Sequence, residues 1–396
     1  MSSTYLSSKP RYEILDGLRG VAAMIVVTFH LLETYYHMEP DQPINHGYLA
    51  VDFFFALSGF VIGYAYDDRW DRMSLSDFFK RRLVRLHPML IFGTLIGALL
   101  FYLGGDAPLM EEVYVTPWWK LVLVCLWGFT LIPLPNAFDI RGWKEMHPLN
   151  NAQWSLMWEY IANILYALVI RHFKRWMLIV LVLLSACLTL MLCMNIDIFG
   201  VLTERTLYAH TVIGGWSIEP EHILIAITRL SYPFFMGLLV SRMFSGADGG
   251  KKTLCLEKFH INGGFWWCTL AIITLFCMPR VGGAIAADFW KNGLYEAFVI
   301  LVCFPLIVSI GAGSKITGAK GQAVCKLLGD ISYPLYVTHY PLIYFQMSFA
   351  ASHPDLPDSI HVAVSVSLFI LAVLMAYASL KLYDLPIREW LRHRLF

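Results

Sequence analysis

The stretch WMLIVLVLLSACLTLMLCMN at residues 176–195 contains no charged side chain. A helix needs roughly 20 mostly apolar residues to cross a bilayer, so this stretch predicts a transmembrane helix. Ten further apolar runs follow the same pattern, at 19–37, 48–66, 88–104, 117–134, 154–170, 222–243, 263–279, 293–311, 327–349 and 361–383. The connections between them are too short for a separate soluble domain. We therefore predict an all-α polytopic membrane protein with a single membrane domain over residues 1–396.

The overall composition supports a membrane protein. Of 396 residues, 58% are hydrophobic and 15% are charged, whereas soluble domains carry about 25% charged residues. The net charge of +1 gives no electrostatic reason to expect a nucleic-acid partner. The eight cysteines have no CxxC or Cys/His metal spacing, so we expect free thiols and no bound metal. The polar N-terminus lacks the layout of a cleaved signal peptide, so we expect the first apolar run to be retained.

The distribution of Lys and Arg predicts the topology, because short cytoplasmic loops carry most basic residues. If all eleven runs cross the membrane, the basic residues divide almost equally between the two sides. If 117–134 instead enters and returns on the same side, most of the 30 Lys and Arg residues become cytoplasmic, and the external loops 105–116 and 350–360 contain none. We therefore predict about ten transmembrane helices, one re-entrant or interfacial segment near 117–134, and both termini in the cytoplasm.

Several ionisable residues fall within the predicted spans, where they are costly and often functional. Depth counting at about 1.5 Å per residue places His30 roughly 16 Å beyond Arg19 on the first span. His30, Asp52 and Glu159 then share one outer layer, with His339 somewhat deeper. Arg19 shares the cytoplasmic layer with the basic run at 80–85. Glu33 and Glu296 lie near span ends, and we expect them to be structural.

This layering predicts a site for group transfer. A histidine can accept the proton of an alcohol, and either Asp52 or Glu159 could orient it and stabilise the imidazolium. The residues alone do not choose between these two carboxylates. Arginines at the cytoplasmic face suit the phosphates of a donor. Considered singly, His30 could equally be a packing residue, and the basic run is more often a topology signal. No GxSxG, Walker or HExxH pattern is present, which removes support for a hydrolase, ATPase or metalloprotease.

Six ordered motifs resemble the acyltransferase-3 family of membrane acyltransferases. The first is LDGLRG at 15–20, followed by His30, with ten residues between Arg19 and His30. The remaining motifs are VDFFFALSGF at 51–60, FKRRLVRLHP at 79–88, WSLMWE at 154–159, LGDISYPLY at 328–336 followed by His339, and YDLPIR at 383–388. The last motif has Asp384 where the family more often has Glu. The motifs extend over nearly the whole chain, and a chance match of all six in order is hard to reach.

The resemblance implies ten crossings and transfer of an acyl group, usually acetyl, from acyl-CoA to a hydroxyl. It implies that His30 is the catalytic residue and that Arg19, Arg82 and Arg85 bind the acyl-CoA. Glu159 would line the site, and the motifs add Trp154, Ser155, Ser332, Tyr333 and His339 as possible lining residues. Acyl-CoA would be a co-substrate, so no bound cofactor is expected. Some family members carry a fused extracytoplasmic domain. Since this sequence ends at Phe396, we expect transfer to finish within the membrane unit or on a separate partner.

The function predicted from the sequence is O-acylation of a cell-envelope carbohydrate or glycolipid in the cytoplasmic membrane, with His30 as general base. Acylation of a lipophilic small molecule is an alternative within the same enzyme class. A transporter or flippase of a lipid-linked saccharide is an alternative from another class. Transporters often contain two corresponding halves with broken helices, and the motif at 154–159 has no counterpart in the C-terminal half. A sensor that binds acyl-CoA without turnover is a third and weaker alternative.

Overall fold

The computed structural model describes residues 9–36, 41–103, 113, 115–202, 205, 208–246, 252–283, 286–316 and 318–396. The predicted external loop 105–116 therefore lies largely outside the described residues. Within them the chain is helical, without a strand, and one isolated bridge joins Glu145 to Ser217.

Each of the eleven apolar runs contains a helix. The α-helices are α1 (Glu13–Tyr36), α2 (Ala50–Tyr66), α3 (Leu75–Leu103), α4 (Trp118–Gly128), α5 (Gln153–Leu168), α6 (Arg175–Cys193), α7 (Pro220–Ser245), α8 (Gly264–Phe276), α9 (Trp290–Phe298), α10 (Phe304–Gly313), α11 (Ala319–Thr338), α12 (Tyr340–Ser352), α13 (Asp358–Ser379) and α14 (Leu385–Leu395). The π-helical turns Val299–Cys303 and Leu380–Asp384 join α9 to α10 and α13 to α14. Short 3₁₀ turns occupy Gly47–Leu49, Trp70–Arg72, Asn136–Phe138, Ile170–His172, Leu256–Phe259 and Ala286–Asp288.

The length and composition of the helices are those of a membrane protein. Among the described residues, seven helical stretches are long and apolar enough to cross a bilayer: Glu13–Tyr36, Gly47–Tyr66, Leu75–Leu103, Arg175–Cys193, Pro220–Ser245, Trp290–Gly313 and Asp358–Leu395. Trp118–Gly128 and Gly264–Phe276 are shorter apolar helices. The predicted all-helical membrane class is confirmed, whereas the count of ten crossings stays a prediction.

The segment predicted as 117–134 forms only the short helix α4. After it, Leu131 adopts a positive φ of 61°, and Pro133 and Pro135 cannot continue a helical hydrogen-bond pattern. Six of the eleven residues of α4 are exposed, and Val124 is its one buried residue. An apolar helix with an exposed surface is consistent with a lipid environment.

Helices α2 and α7 pack with their backbones in direct contact. A Cβ atom on Gly59 would lie 2.0 Å from the carbonyl oxygen of Phe234, and one on Gly237 would lie 2.1 Å from the carbonyl oxygen of Ala56. Only glycine allows two backbones to approach this closely, which is a common device of membrane helices. This contact fixes α2, which precedes the basic run, against α7.

The contacts between helices define their relative directions. Helix α1 runs parallel to α11, because Arg19 contacts Ser332 while His30 contacts His339. Helices α3 and α5 run antiparallel, since Arg82 contacts Glu159 near one end and Gly97 packs on Leu149 towards the other. The end of α3 and the start of α5 therefore lie at the same end of the helical bundle.

Candidate functional site

The site is built along α1 and α11, which hold its two ends. At one end, Arg19 Nε donates to Ser332 Oγ at 2.8 Å, and Nη2 donates to the carbonyl oxygen of Gly329 at 3.1 Å. At the other end, the rings of His30 and His339 stack with centroids 5.5 Å apart and an interplanar angle of 24°. With about 1.5 Å rise per residue, Arg19 and His30 lie roughly 16 Å apart along α1.

His30 is paired with a carboxylate of its own helix. Its Nδ1 lies 2.7 Å from Glu33 Oε2, and the two side chains are 20% and 23% exposed. In a neutral imidazole, a hydrogen bond donated to this carboxylate places the hydrogen on Nδ1 and leaves the lone pair on Nε2. This is the tautomer that a general base requires. Glu33, which the sequence analysis expected to be structural, is the carboxylate beside His30.

Asp52 does not contact His30. It is fully buried and accepts hydrogen bonds from Arg229, with Nη2 at 2.7 Å and Nε at 3.1 Å. Arg229 also donates to the carbonyl oxygens of Tyr48 and Gly214. The suggestion that Asp52 orients His30 is wrong in this structure, because a buried carboxylate needs a paired cation and Arg229 fills that need. The pair links α2 to α7.

Glu159 also has another partner. Its Oε1 accepts hydrogen bonds from Arg82 Nη2 at 2.9 Å and from Ser58 Oγ at 3.0 Å. Arg82 is 95% buried by side chain, so the carboxylate holds the guanidinium in a fixed position. The suggestion that Glu159 orients His30 is wrong in this structure as well. Glu159 instead belongs to the arginine end of the site.

Four arginines from three helices converge at that end. The side chain of Arg85 is exposed, and it lies within electrostatic reach of Arg82, Arg19 and Arg388. Arg388 belongs to α14 and is held by the fully buried Asp384 at 2.7 Å. Like charges repel, and carboxylates offset part of this repulsion. Arg19 pairs with Asp16 at 3.1 Å, Arg82 pairs with Glu159, and Arg388 pairs with Asp384. The arrangement is suited to phosphate groups, which arginine binds bidentately.

Arg388 is a site residue that the sequence-based prediction missed. It occurs in the quoted motif at 383–388, but nothing in its spacing indicated a position beside α3. The one available signal was Asp384 four residues earlier, at the spacing at which side chains meet on a helix. The contact with the remaining arginines depends on packing between distant parts of the chain.

The predicted lining residues of α5 and α11 join those helices to their neighbours. Ser155 Oγ and Tyr336 OH are hydrogen bonded at 2.7 Å. Tyr333 OH donates to the carbonyl oxygen of Leu86 at 2.5 Å. The ring of Trp154 lies 5.3 Å from the guanidinium carbon of Arg229. These contacts give each residue a structural role, and their role in lining the site stays a prediction.

A cover formed by Arg141, Glu145 and Tyr344 lies next to the histidine end. Tyr340 bridges the two, with its ring 5.0 Å from that of His30 and 5.0 Å from that of Tyr344. Tyr344 OH donates to Glu145 Oε2 at 2.5 Å, and the Arg141 guanidinium lies 3.6 Å above the Tyr344 ring. Glu145 lies in the connection between α4 and α5, where burial raises the pKa of its carboxyl to about 7. Sequence reasoning missed Tyr340 although it directly follows His339.

Among the described residues, no group of His, Cys, Asp and Glu side chains could hold a metal ion. What the helices bring together is a histidine–carboxylate pair at one end and an arginine cluster at the other. This combination of a histidine–carboxylate pair and an arginine cluster is suited to group transfer from a phosphorylated donor.

Comparison with known proteins identifies the class more closely. The family profile described as an acyltransferase domain matches residues 12–380. The chain belongs to the acyltransferase-3 family, as its six motifs predicted, and residues 12–380 form an acyltransferase domain.

Three relatives illustrate the similarity. The O-acetyltransferase OatA of Staphylococcus aureus (strain NCTC 8325 / PS 47) is 26% identical over 96% of this chain and 58% of its own length. The putative peptidoglycan O-acetyltransferase YrhL of Bacillus subtilis (strain 168) is 25% identical over 94% of this chain and 54% of its own length. Protein 2 in the picA locus of Rhizobium radiobacter is 32% identical over 41% of this chain and 83% of that protein. The chain thus spans little more than half the length of the two named acetyltransferases. No solved structure matches it.

Proposed function

We propose that the protein transfers an acyl group, most simply acetyl, from cytoplasmic acyl-CoA to a hydroxyl of a cell-envelope carbohydrate or glycolipid. The observation that carries this proposal is the two-ended site along α1. Arg19 belongs to the arginine cluster. The histidine–carboxylate pair of His30 and Glu33 lies about 16 Å away along the helix. An elongated donor with phosphates at one end and a thioester at the other fits such a separation.

The arginine cluster would bind the phosphates of the donor. Arg85 offers an exposed guanidinium, while Arg82 and Arg388 are positioned by Glu159 and Asp384. A bound polyanion would offset the mutual repulsion of the four cations, which supports a phosphorylated donor rather than a free acid. The basic residues near this end support its assignment to the cytoplasmic side.

The chemistry would take place at His30 Nε2. This nitrogen removes the proton of the acceptor hydroxyl as the oxygen attacks the thioester carbonyl. The carbon–sulfur bond then breaks, and the imidazolium returns the proton to the departing thiolate. The products are the ester and free CoA. Glu33 stabilises the imidazolium during these steps and keeps the ring in the reactive tautomer. An orienting carboxylate has the same role beside the general base of other enzymes.

A carbohydrate acceptor is supported by the relatives and by the cover. The Bacillus subtilis relative is named as a putative peptidoglycan O-acetyltransferase. Beside His30, the rings of Tyr340 and Tyr344 pack edge to face next to the buried polar side chains of Glu145 and Arg141. Aromatic rings with polar neighbours suit the flat faces and hydroxyls of sugars.

The proposed topology has ten crossings in the cytoplasmic membrane, both termini in the cytoplasm and a re-entrant or interfacial segment at α4. The helix directions support it. Helix α1 packs parallel to α11, and α2 packs parallel to α7. These directions agree with the side of the membrane that the Lys and Arg distribution predicts for each loop. The antiparallel pair α3 and α5 supports a connection that leaves and returns on one side.

The test of this proposal is CoA thiol release by the purified protein in nanodiscs supplied with acetyl-CoA and an envelope glycan fraction. His30→Ala should reduce release to the background rate, while acetyl-CoA still binds. His353→Ala provides a matched control, since His353 is an exposed histidine at the end of α12. Release that is equal in the wild type and His30→Ala would overturn the assignment of His30. Binding of acetyl-CoA without any release would overturn enzymatic turnover with these substrates.

A further inference from the structure

His339 has a fixed tautomer. It is fully buried, and its Nδ1 lies 2.8 Å from the carbonyl oxygen of Tyr336 and 3.2 Å from that of Leu335. Carbonyl oxygens only accept hydrogen bonds, so Nδ1 carries the hydrogen. The neutral ring therefore presents a lone pair on Nε2. Because α11 ends at Thr338 and His339 is followed by α12, the ring is held at the junction of two helices.

The lone pair on His339 Nε2 has no hydrogen-bond partner among the described residues, although the atom is completely buried. The ring neighbours of His339 are His30, Tyr336 and Tyr340, at centroid distances of 5.5, 5.7 and 5.8 Å. Buried polar atoms without a partner are uncommon, because they lose their hydrogen bonds to water without replacement. At a site where one histidine already acts as base, such an atom indicates a donor supplied by the substrate.

The donor must be distinct from the reacting hydroxyl. A hydroxyl carries one hydrogen, and in the proposed reaction that hydrogen goes to His30 Nε2. An acceptor that donates hydrogen bonds to both His30 Nε2 and His339 Nε2 therefore needs a second O–H group close to the first. Neighbouring hydroxyls on a sugar ring have this arrangement, whereas a simple alcohol does not.

We propose that His339 Nε2 accepts a hydrogen bond from a second hydroxyl of the acyl acceptor, adjacent to the one that His30 deprotonates. The site thereby selects vicinal diols over isolated alcohols. This inference rests on the proposed O-acyl transfer and narrows its acceptor class. His339 serves as a positioning residue, and it takes no proton in the reaction.

The experiment compares two small acceptors, cis-1,2-cyclohexanediol and cyclohexanol, by the CoA release that each adds to the rate without acceptor. The ratio of their kcat/KM values is measured for the wild type, His339→Asn and His339→Gln. Because each ratio comes from one protein sample, a loss of folded protein cancels. Asparagine keeps a donor near the position of Nδ1 and removes the atom corresponding to Nε2, whereas glutamine reaches that position with an acceptor oxygen.

We expect the wild type to prefer the diol by about tenfold, the value of one hydrogen bond to a buried acceptor. His339→Asn should lower the ratio to about one, and His339→Gln should restore part of it. A wild-type ratio near one, or an unchanged preference in His339→Asn, would overturn the role of His339 while leaving acyl transfer intact. CoA release that neither small acceptor increases would overturn the diol selection proposed here. The absence of His30-dependent release with the envelope glycan fraction would instead overturn the proposed function, and this inference with it.

Discussion

The pairing of His30 with Glu33 predicts a specific loss of turnover when the carboxylate is removed. A hydrogen bond to a charged group contributes about 1.5–3 kcal/mol. Both side chains are about one fifth exposed, and water weakens the interaction, so we take the lower part of this range, about 1.5–2 kcal/mol. At about 1.4 kcal/mol per factor of ten, Glu33→Ala should reduce kcat roughly 10- to 30-fold.

The assay is CoA thiol release at varied acetyl-CoA concentration in nanodiscs. The KM for acetyl-CoA should stay close to that of the wild type, because Glu33 lies away from the arginine cluster. Glu33→Gln keeps an acceptor oxygen without the charge, and its kcat should fall between those of Glu33→Ala and the wild type. Glu257→Ala, which alters an exposed carboxylate on a loop turn, is the matched control. A kcat for Glu33→Ala within twofold of the wild type would refute the orienting role of Glu33.

Two further predictions concern stability. Asp52→Asn should lower the thermal unfolding temperature in detergent, because breaking a buried ion pair costs about 3–5 kcal/mol. The double variant Asp52→Asn/Arg229→Gln should recover part of that loss. An unchanged unfolding temperature for Asp52→Asn would contradict the stabilising role of the ion pair. Gly59→Ala should also be destabilising, at the upper end of the roughly 1–3 kcal/mol of overpacking, since its Cβ would lie 2.0 Å from the carbonyl oxygen of Phe234. Wild-type stability of this variant, measured in the same melts, would show that α2 and α7 separate more easily than their packing indicates.

The sequence predicted the apolar helices and the placement of Arg19 and His30 on one helix, because both follow from local rules. Apolar runs of sufficient length form membrane helices, and Arg19 and His30 share one helix whose rise per residue is known. The boundaries of α4 differed from the predicted run because Pro133, Pro135 and the positive φ of Leu131 end it early.

The contact between Glu33 and His30 was not predicted because depth was given more weight than helical spacing. Glu33 follows His30 by three residues, which places the two side chains on one face of α1. Asp52 and Glu159 lie on helices other than α1. Asp52 on α2 pairs with an arginine of α7, and Glu159 on α5 pairs with an arginine of α3. Depth alone cannot identify which charges are paired across helices. The position of Arg388 depends on the same tertiary packing and therefore could not be derived from spacing.

The most direct test of the two-ended site measures CoA release against acetyl-CoA concentration for Arg85→Gln and His30→Ala in parallel. Arg85→Gln should raise KM for acetyl-CoA about tenfold with a much smaller change in kcat, since it removes one charged contact to a donor phosphate. His30→Ala should abolish kcat while acetyl-CoA binding, measured by calorimetry, remains near that of the wild type. If the two variants changed the same parameter, or if Arg85→Gln kept the wild-type KM, the division of the site into a donor end and a reaction end would be wrong.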